Sequence, residues 1–177
     1  MSTAQPVETL PILIAPHPAL KARNLPVRPE HAAQLKALLP RMFATMYAAP
    51  GIGLAAPQIG VNLRFAVVDL MPDDKPAPLV LVNPEIIARS AEPETREEGC
   101  LSIPGQYADI TRPARVTIRY HDQAGIRHDL EADGLLAACL QHELDHLDGV
   151  LFIDHLSALK RNMLMRRLAK DLRQKAG

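Results

Sequence analysis

Hydrophobic and polar positions alternate along the middle of the chain, and this pattern predicts antiparallel strands. The clearest case is a strand at residues 115–121, a turn at 122–125 and a return strand at 126–130, which together predict a hairpin. The other predicted strands are shorter apolar runs at residues 10–14, 64–70, 78–82 and 86–88.

Three segments instead show apolar side chains at helical spacing. The first runs from about residue 29 to residue 48 and contains Pro40, which should kink or interrupt the helix. The second begins after Asp133, a suitable N-cap, and stops at Gly149. The third extends from about Ser157 to the end of the chain. These segments predict two long helices and one central, more apolar helix.

Of the remaining segments, residues 71–77 predict a turn and residues 97–105 predict an extended segment, and the whole chain predicts one domain. Residues 50–60 contain three glycines and two prolines, so we expect a loop there without helix. At 177 residues, 47% of them hydrophobic, the chain can bury a substantial core. We therefore expect a single α+β domain over residues 1–177, in which antiparallel β-strands surround a central helix and a further helix ends the chain.

Charge is balanced over the chain but not along it. The 20 basic and 20 acidic residues cancel, so we expect no membrane binding and no direct DNA binding. Residues 157–177, however, hold seven Lys and Arg against the single acid Asp171, a charge of +6, which leaves −6 on the other residues. A basic helix at about 157–175 is suited to an RNA surface.

The two cysteines and the polar start of the chain indicate where the protein works. Residues 1–9 are polar, and the apolar run at 10–15 is too short for a signal peptide. We therefore expect a cytoplasmic protein in which Cys100 and Cys139 are thiols and not a disulfide.

The candidate chemistry lies in the central helix, in the stretch QHELDHLDG at 141–149. His142 and His146 are one helical turn apart and can bind one divalent metal, while Glu143 beside them can deprotonate a bound water. The alternative to metal binding is that His142 and His146 are two structural histidines of the core. A third ligand is needed, and position 152, where many metallopeptidases have histidine, holds Phe152. Cys100 is the best candidate, although it could be an inert buried thiol.

Three motifs in order resemble those of the peptide deformylases. They are GIGLAAPQIG at 51–60, EEGCLSIPG at 97–105 and the metal motif at 141–149. The resemblance implies metal-dependent removal of the N-formyl group from the N-terminal formylmethionine of nascent polypeptides, with release of formate.

The resemblance also implies a role for individual residues. The metal ligands would be Cys100, His142 and His146, and Glu143 would be the general base. Gln58 and the backbone N–H of Leu101 would stabilise the oxyanion. The methionine pocket would consist of Ile52, Glu98, Leu101, Cys139 and His142, and the backbones of Gly53 and Gly99 would bind the substrate chain. Tyr107 stands where many bacterial relatives have a basic residue.

Metal and partner follow from the same resemblance. A Cys/His/His set suits Fe²⁺, Zn²⁺, Co²⁺ or Ni²⁺, and the family implies Fe²⁺ as the physiological ion. It also implies that the basic C-terminal helix docks on the ribosome. Two other functions are weighed against this one. They are a metallopeptidase using the same H-E-x-x-H motif, which Phe152 and a cysteine ligand disfavour, and a structural metal module, which would normally have four protein ligands.

Overall fold

Seven strands and three α-helices form the fold in the computed structural model, which describes residues 4–177. The helices are α1 (Ala32–Ala48), α2 (Gly134–Leu147) and α3 (Ala158–Ala176). The strands are β1 (Gly53–Ala55), β2 (Phe65–Val68), β3 (Leu79–Arg89), β4 (Pro93–Cys100), β5 (Ile103–Pro113), β6 (Val116–His121) and β7 (Arg127–Ala132).

Every strand pair is antiparallel, and the strands form two sheets. The larger has the order β1-β2-β3-β6-β7, and the smaller is the hairpin β4-β5. Along β2 the side chains alternate between two apolar faces. Phe65 and Val67 belong to the cluster that contains α1, whereas Val68 belongs to the cluster that contains α2. The larger sheet is therefore covered by α1 on one face and α2 on the other.

Helix α2 lies in the interior, as the sequence predicts. Leu140 and Leu144 pack with Leu81 and Ile118 of the larger sheet. Eight of its 14 residues are buried, including polar ones. The helix ends before Gly149, whose φ of +76° and close approach to the backbone of Lys21 leave no room for a Cβ. The expected α+β fold with strands around a central helix is thus confirmed.

The first predicted strand, residues 10–14, is wrong. This segment is irregular, and its N–H groups bond to loops: Leu13 N–H donates to the Gln58 carbonyl and Ala15 N–H to the Ser102 carbonyl. Pro11 and Pro16 carry no N–H, so the segment cannot sustain a sheet ladder.

Other local predictions need smaller corrections. Residues 50–60 contain β1 and a 3₁₀ turn at Ala56–Ile59, so the expectation of a loop without helix was wrong. Pro40 does not interrupt α1, because it lies on the exposed face where water can reach the carbonyl it leaves unbonded. The two runs at 78–82 and 86–88 form one strand, β3, with register shifts near Asn83, whose φ is +49°.

At the helix ends, Asp133 occupies the N-cap position of α2 without making a capping side-chain bond. Ser157 caps α3 as expected, since its side chain accepts from Lys160 N–H.

Candidate active site

Cys100, His142 and His146 come together at the centre of the molecule. The two-residue turn between β4 and β5 places Cys100 at the end of β4 and against α2. Its Sγ lies 3.3 Å from His146 Nε2, which in turn lies 3.2 Å from His142 Nε2. All three ligand atoms are within 4.8 Å of one another, and among the described residues they form the one such group of at least three.

These distances fit a divalent metal. With a metal–sulfur bond of about 2.3 Å and metal–nitrogen bonds of about 2.0–2.1 Å, tetrahedral ligands would be about 3.3–3.6 Å apart. Burial lowers the pKa of His146 well below its ordinary value, so that ring is neutral as a ligand must be. Burial also opposes charge on His142, but hydrogen bonds with Cys100 and Glu98 raise its pKa well above the ordinary value. Because Nδ1 faces Glu98, the second proton of a charged ring would lie on Nε2, and a metal binding to that atom would displace it.

Glu143 points into the same centre from α2. Burial raises its pKa to about 7. Its Oε2 is buried and makes no hydrogen bond to any described residue, and its Oε1 lies so close to Gly53 that a Cβ there would be 2.5 Å away. A carboxylate held in this way can accept a proton from a small polar molecule beside the ligands.

Gln58 reaches the site from the 3₁₀ turn after β1. Its Oε1 accepts from Ala55 N–H at 2.9 Å, and this contact fixes which end of the amide faces the site. Its Nε2 donates to Ser102 Oγ at 3.1 Å and lies 3.6 Å from Cys100 Sγ. Leu101 follows Cys100 in the β4–β5 turn, so its backbone N–H adjoins the ligand. The structure thus brings both expected donors, Gln58 Nε2 and the Leu101 N–H, to the Cys100 side of the site. It also shows that Ser102 accepts a hydrogen bond from Gln58, a contact that the sequence did not predict.

A cleft of about 650 Å³ opens beside these groups, a size suited to a peptide end. Gly53 and Gly99 both line the cleft, and the Tyr107 ring packs against Gly99. Of the other lining residues, Cys139 is buried and Ile52 is exposed. All the expected pocket residues, Ile52, Gly53, Glu98, Gly99, Leu101, Cys139 and His142, line this cleft.

Cys139 differs from Cys100 in its surroundings. Burial, with the nearby charges of Glu143 and Glu98, raises the pKa of the Cys139 thiol well above its ordinary value. Its Sγ does not belong to the group of converging ligand atoms, and the residue lines the cleft. Cys139 is therefore a wall of the cleft and stands apart from the ligand group.

Glu98 is held by a partner that the sequence did not reveal. Burial would raise its pKa, but hydrogen bonds from Arg112 and His142 lower it to about 2. Arg112 lies fourteen residues away in the chain and has no motif around it. Only the antiparallel register of β4 and β5 and the packing of the hairpin on α2 bring these groups together.

The comparisons with known proteins agree with this geometry. The model of the polypeptide deformylase family matches residues 9–162. "Peptide deformylase 2" of Xanthomonas axonopodis pv. citri is 51% identical over 164 residues, covering 92% of this chain and 95% of that protein. The peptide deformylase of Mesorhizobium japonicum is 51% identical over 167 residues, 94% of each chain.

Solved structures are similar over nearly their whole length. The crystal structure of a peptide deformylase from Legionella pneumophila has a TM-score of 0.89 and 45% identity, covering 95% of this chain and 98% of that one. A peptide deformylase from Ehrlichia chaffeensis, crystallised in complex with actinonin, has a TM-score of 0.85 and 35% identity, with 93% and 98% covered.

The family model covers most of the chain, the relatives share half of its residues, and a Cys/His/His group stands where three motifs meet. The chain therefore belongs to the peptide deformylase family, hydrolases that remove the N-formyl group from nascent polypeptides.

Proposed function

We propose that Cys100, His142 and His146 bind one divalent metal at which this chain hydrolyses the formyl amide of N-formylmethionyl peptides. The observation that carries the proposal is the convergence of the three ligand atoms within 4.8 Å, with Glu143 directly beside them. When bound, the metal supplies Lewis acidity, which polarises the formyl carbonyl and acidifies water.

Glu143 moves the proton in this proposal. Its carboxylate takes the proton from the attacking water, and the resulting hydroxide adds to the formyl carbon. The same carboxyl group then returns the proton to the leaving amine nitrogen, and formate and a free N-terminus result. The buried Oε2 without a protein partner supports this role, because it is available to a water molecule.

Two hydrogen-bond donors stabilise the developing oxyanion. They are Gln58 Nε2 and the backbone N–H of Leu101, on the Cys100 side of the site. The bond from Ala55 N–H to Gln58 Oε1 supports the role of Gln58, because it prevents the amide from turning its oxygen toward the oxyanion. Donors arranged in advance contribute about 3–4 kcal/mol each to catalysis.

The peptide lies in the cleft between two glycine backbones. Gly53 and Gly99 bind the substrate main chain, and the methionine side chain enters the pocket lined by Ile52, Leu101, Cys139 and His142 together with the aliphatic part of Glu98. The carboxylate of Glu98 does not bind the peptide, because both oxygens already accept hydrogen bonds.

Formate release tests this function. We expect the metal-loaded protein to release formate from formyl-Met-Ala and to leave the peptide bond intact. A metallopeptidase using the same motif would instead cleave unformylated and formylated peptides alike, which mass spectrometry separates. Actinonin, which is bound in the Ehrlichia chaffeensis structure, should inhibit formate release.

We infer that Fe²⁺ is the physiological ion, with Zn²⁺, Co²⁺ or Ni²⁺ able to take its place. A thiolate with two imidazoles is a ligand set of intermediate softness and supports all four. Anaerobic preparation with each ion, followed by formate release per bound metal, ranks them. If the zinc protein assayed in air were as active as the anaerobically prepared Fe²⁺ protein, the assignment of iron would be contradicted.

We also propose that the enzyme acts in the cytoplasm and that α3 docks on ribosomal RNA. The outer side of α3 exposes Leu159, Met163, Arg166, Lys170 and Arg173, whereas Leu164 and Leu168 face the core. Cationic side chains facing water support contacts with RNA phosphates.

Among residues 4–177 no helix is long and apolar enough to cross a membrane.

Charge replacement tests the docking more cleanly than deletion, because α3 covers core residues. The variant Arg166→Gln/Lys170→Gln/Arg173→Gln should lose co-sedimentation with ribosomes, and binding by the native protein should weaken with salt. Binding that survives the replacement, or that ignores salt, would contradict the proposal.

A further inference from the structure

Arg112 is a buried arginine that the proposed mechanism does not use. Its side chain, on β5, is 8% exposed. Nε donates to Glu98 Oε2 at 2.7 Å and Nη2 donates to Glu98 Oε1 at 2.9 Å, so the guanidinium grips both carboxylate oxygens. A two-bond fork of this kind fixes the plane of the carboxylate as well as its position.

The Glu98 carboxylate that Arg112 holds is also hydrogen-bonded to His142, a proposed metal ligand. Glu98 Oε1 also accepts from His142 Nδ1 at 3.0 Å. With the proton held on Nδ1, the Nε2 lone pair of His142 faces His146 and Cys100. Partners behind a ligand histidine set its tautomer and its ring orientation.

A second contact prevents Arg112 from turning. Its Nη1 donates to Asp145 Oδ2 at 2.8 Å, and the same oxygen accepts from His155 Nε2 at 2.8 Å. The three donors of one guanidinium thus connect β4, β5 and the face of α2 that carries the ligands. Asp145 and His155 restrain the arginine, and the arginine restrains Glu98.

We propose that Arg112 is a positioning residue for the metal centre, which holds Glu98 in the orientation that directs His142 Nε2 at the metal. A purely structural role, as a tie between β5 and α2, would need only the positive charge near two carboxylates. A positioning role needs the fork itself, because only the fork fixes the Glu98 plane. The proposal rests on the ligand set proposed above.

Cobalt substitution of the full chain separates the two roles, because the visible spectrum of Co²⁺ reports ligand geometry. In Arg112→Lys the charge stays and the fork is lost. We expect cobalt to bind about 10–100-fold more weakly than in the native protein, with shifted ligand-field bands and a native circular dichroism spectrum. Arg112→Met should show at least as large a change.

Arg119→Met is the matched control. Arg119 makes the same two-bond fork, to Asp129, but on the exposed surface of β6 and β7 and away from the cleft. We expect cobalt affinity within about twofold of native in this variant, since exposed ion pairs contribute little.

Native cobalt affinity and spectrum in a folded Arg112→Lys protein would overturn the proposal, and so would an equal loss in Arg119→Met. Loss of charge can unfold Arg112→Met by leaving Glu98 buried and unpaired, so the lysine variant decides. If the native protein itself lacked a thiolate-to-cobalt absorption band, the ligand set would be wrong, which is a different result from a failure of the Arg112 proposal.

Discussion

Helices α2 and α3 are both regular, yet they relate to the rest of the molecule in opposite ways. Eight of the 14 residues of α2 are buried, and Gln141, Glu143 and His146 are among them. Only Leu164 and Leu168 are buried among the 19 residues of α3, and its cations face water. Chemistry is concentrated in the first helix and charge in the second.

The difference teaches what an interior polar group requires. A buried polar side chain is costly unless it is hydrogen-bonded or serves a ligand. Around α2 these needs are met by Glu98 for His142 and by the Pro113 and Ala137 carbonyls for Gln141. Most charged side chains of α3 are exposed, and they need no such partners because water solvates them. We therefore expect substitutions around α2 to have large effects on catalysis and substitutions on α3 to have small ones.

The largest expected effect is that of Glu143→Gln on α2. The amide has nearly the same size but cannot take a proton, so we expect turnover to fall by about 10²–10⁴-fold. Formate release measures turnover, and atomic emission should show that metal is retained. A fully metallated variant with native turnover would contradict the general-base role.

The next effect concerns the cysteine facing α2 and the cysteine within it. Cys100→Ser should weaken metal binding by at least about 10–100-fold, because a hydroxyl is a poor ligand for these ions. Cys139→Ala should keep its metal, which a competition assay against a chelator measures. If Cys139→Ala lost its metal and Cys100→Ser kept it, the ligand would be Cys139 and not Cys100.

The buried carboxylate of Asp69, beside α1, should make the stability of the protein depend on pH. Burial alone would raise the pKa of Asp69, but hydrogen bonds from Tyr47 and from the N–H groups of Met71 and Ala77 lower it. A carboxyl whose pKa is lower folded than unfolded stabilises the protein above the unfolded value, and this stability is lost as pH falls through the folded value.

The free energy of unfolding should therefore drop more steeply below about pH 4 in the native protein than in Asp69→Asn. Urea titrations across this range measure both curves. Parallel curves would show that Asp69 titrates alike in the folded and unfolded chains.

The smallest expected effect is on α3. Arg166→Gln/Lys170→Gln/Arg173→Gln changes three solvated charges that do not line the cleft, so hydrolysis of a short formyl peptide should stay within about twofold of native. Steady-state kcat/KM measures this. A loss like that of Glu143→Gln would mean that α3 takes part in catalysis, and the comparison between the helices would fail.

Sequence patterns were most informative where local spacing decides the outcome. The three-to-four-residue spacing in α1, α2 and α3 fixed the helices, and alternation fixed the β6–β7 hairpin. The strand at 10–14 failed because hydrophobicity cannot show that prolines have removed the N–H groups a sheet needs. Strands β4 and β5 were predicted only in part, as an extended segment at 97–105, because much of their length is polar and only half-buried.

For the site, the sequence by itself determined the spacing of His142, Glu143 and His146, because an α-helix places residues four apart on one face. Its three motifs also indicated the family. Tertiary structure alone decided that Cys100 lies 3.3 Å from His146 and that Arg112 grips Glu98. These contacts join residues from different elements, and their distances are set by strand register and by packing of the hairpin on α2, which local spacing does not encode.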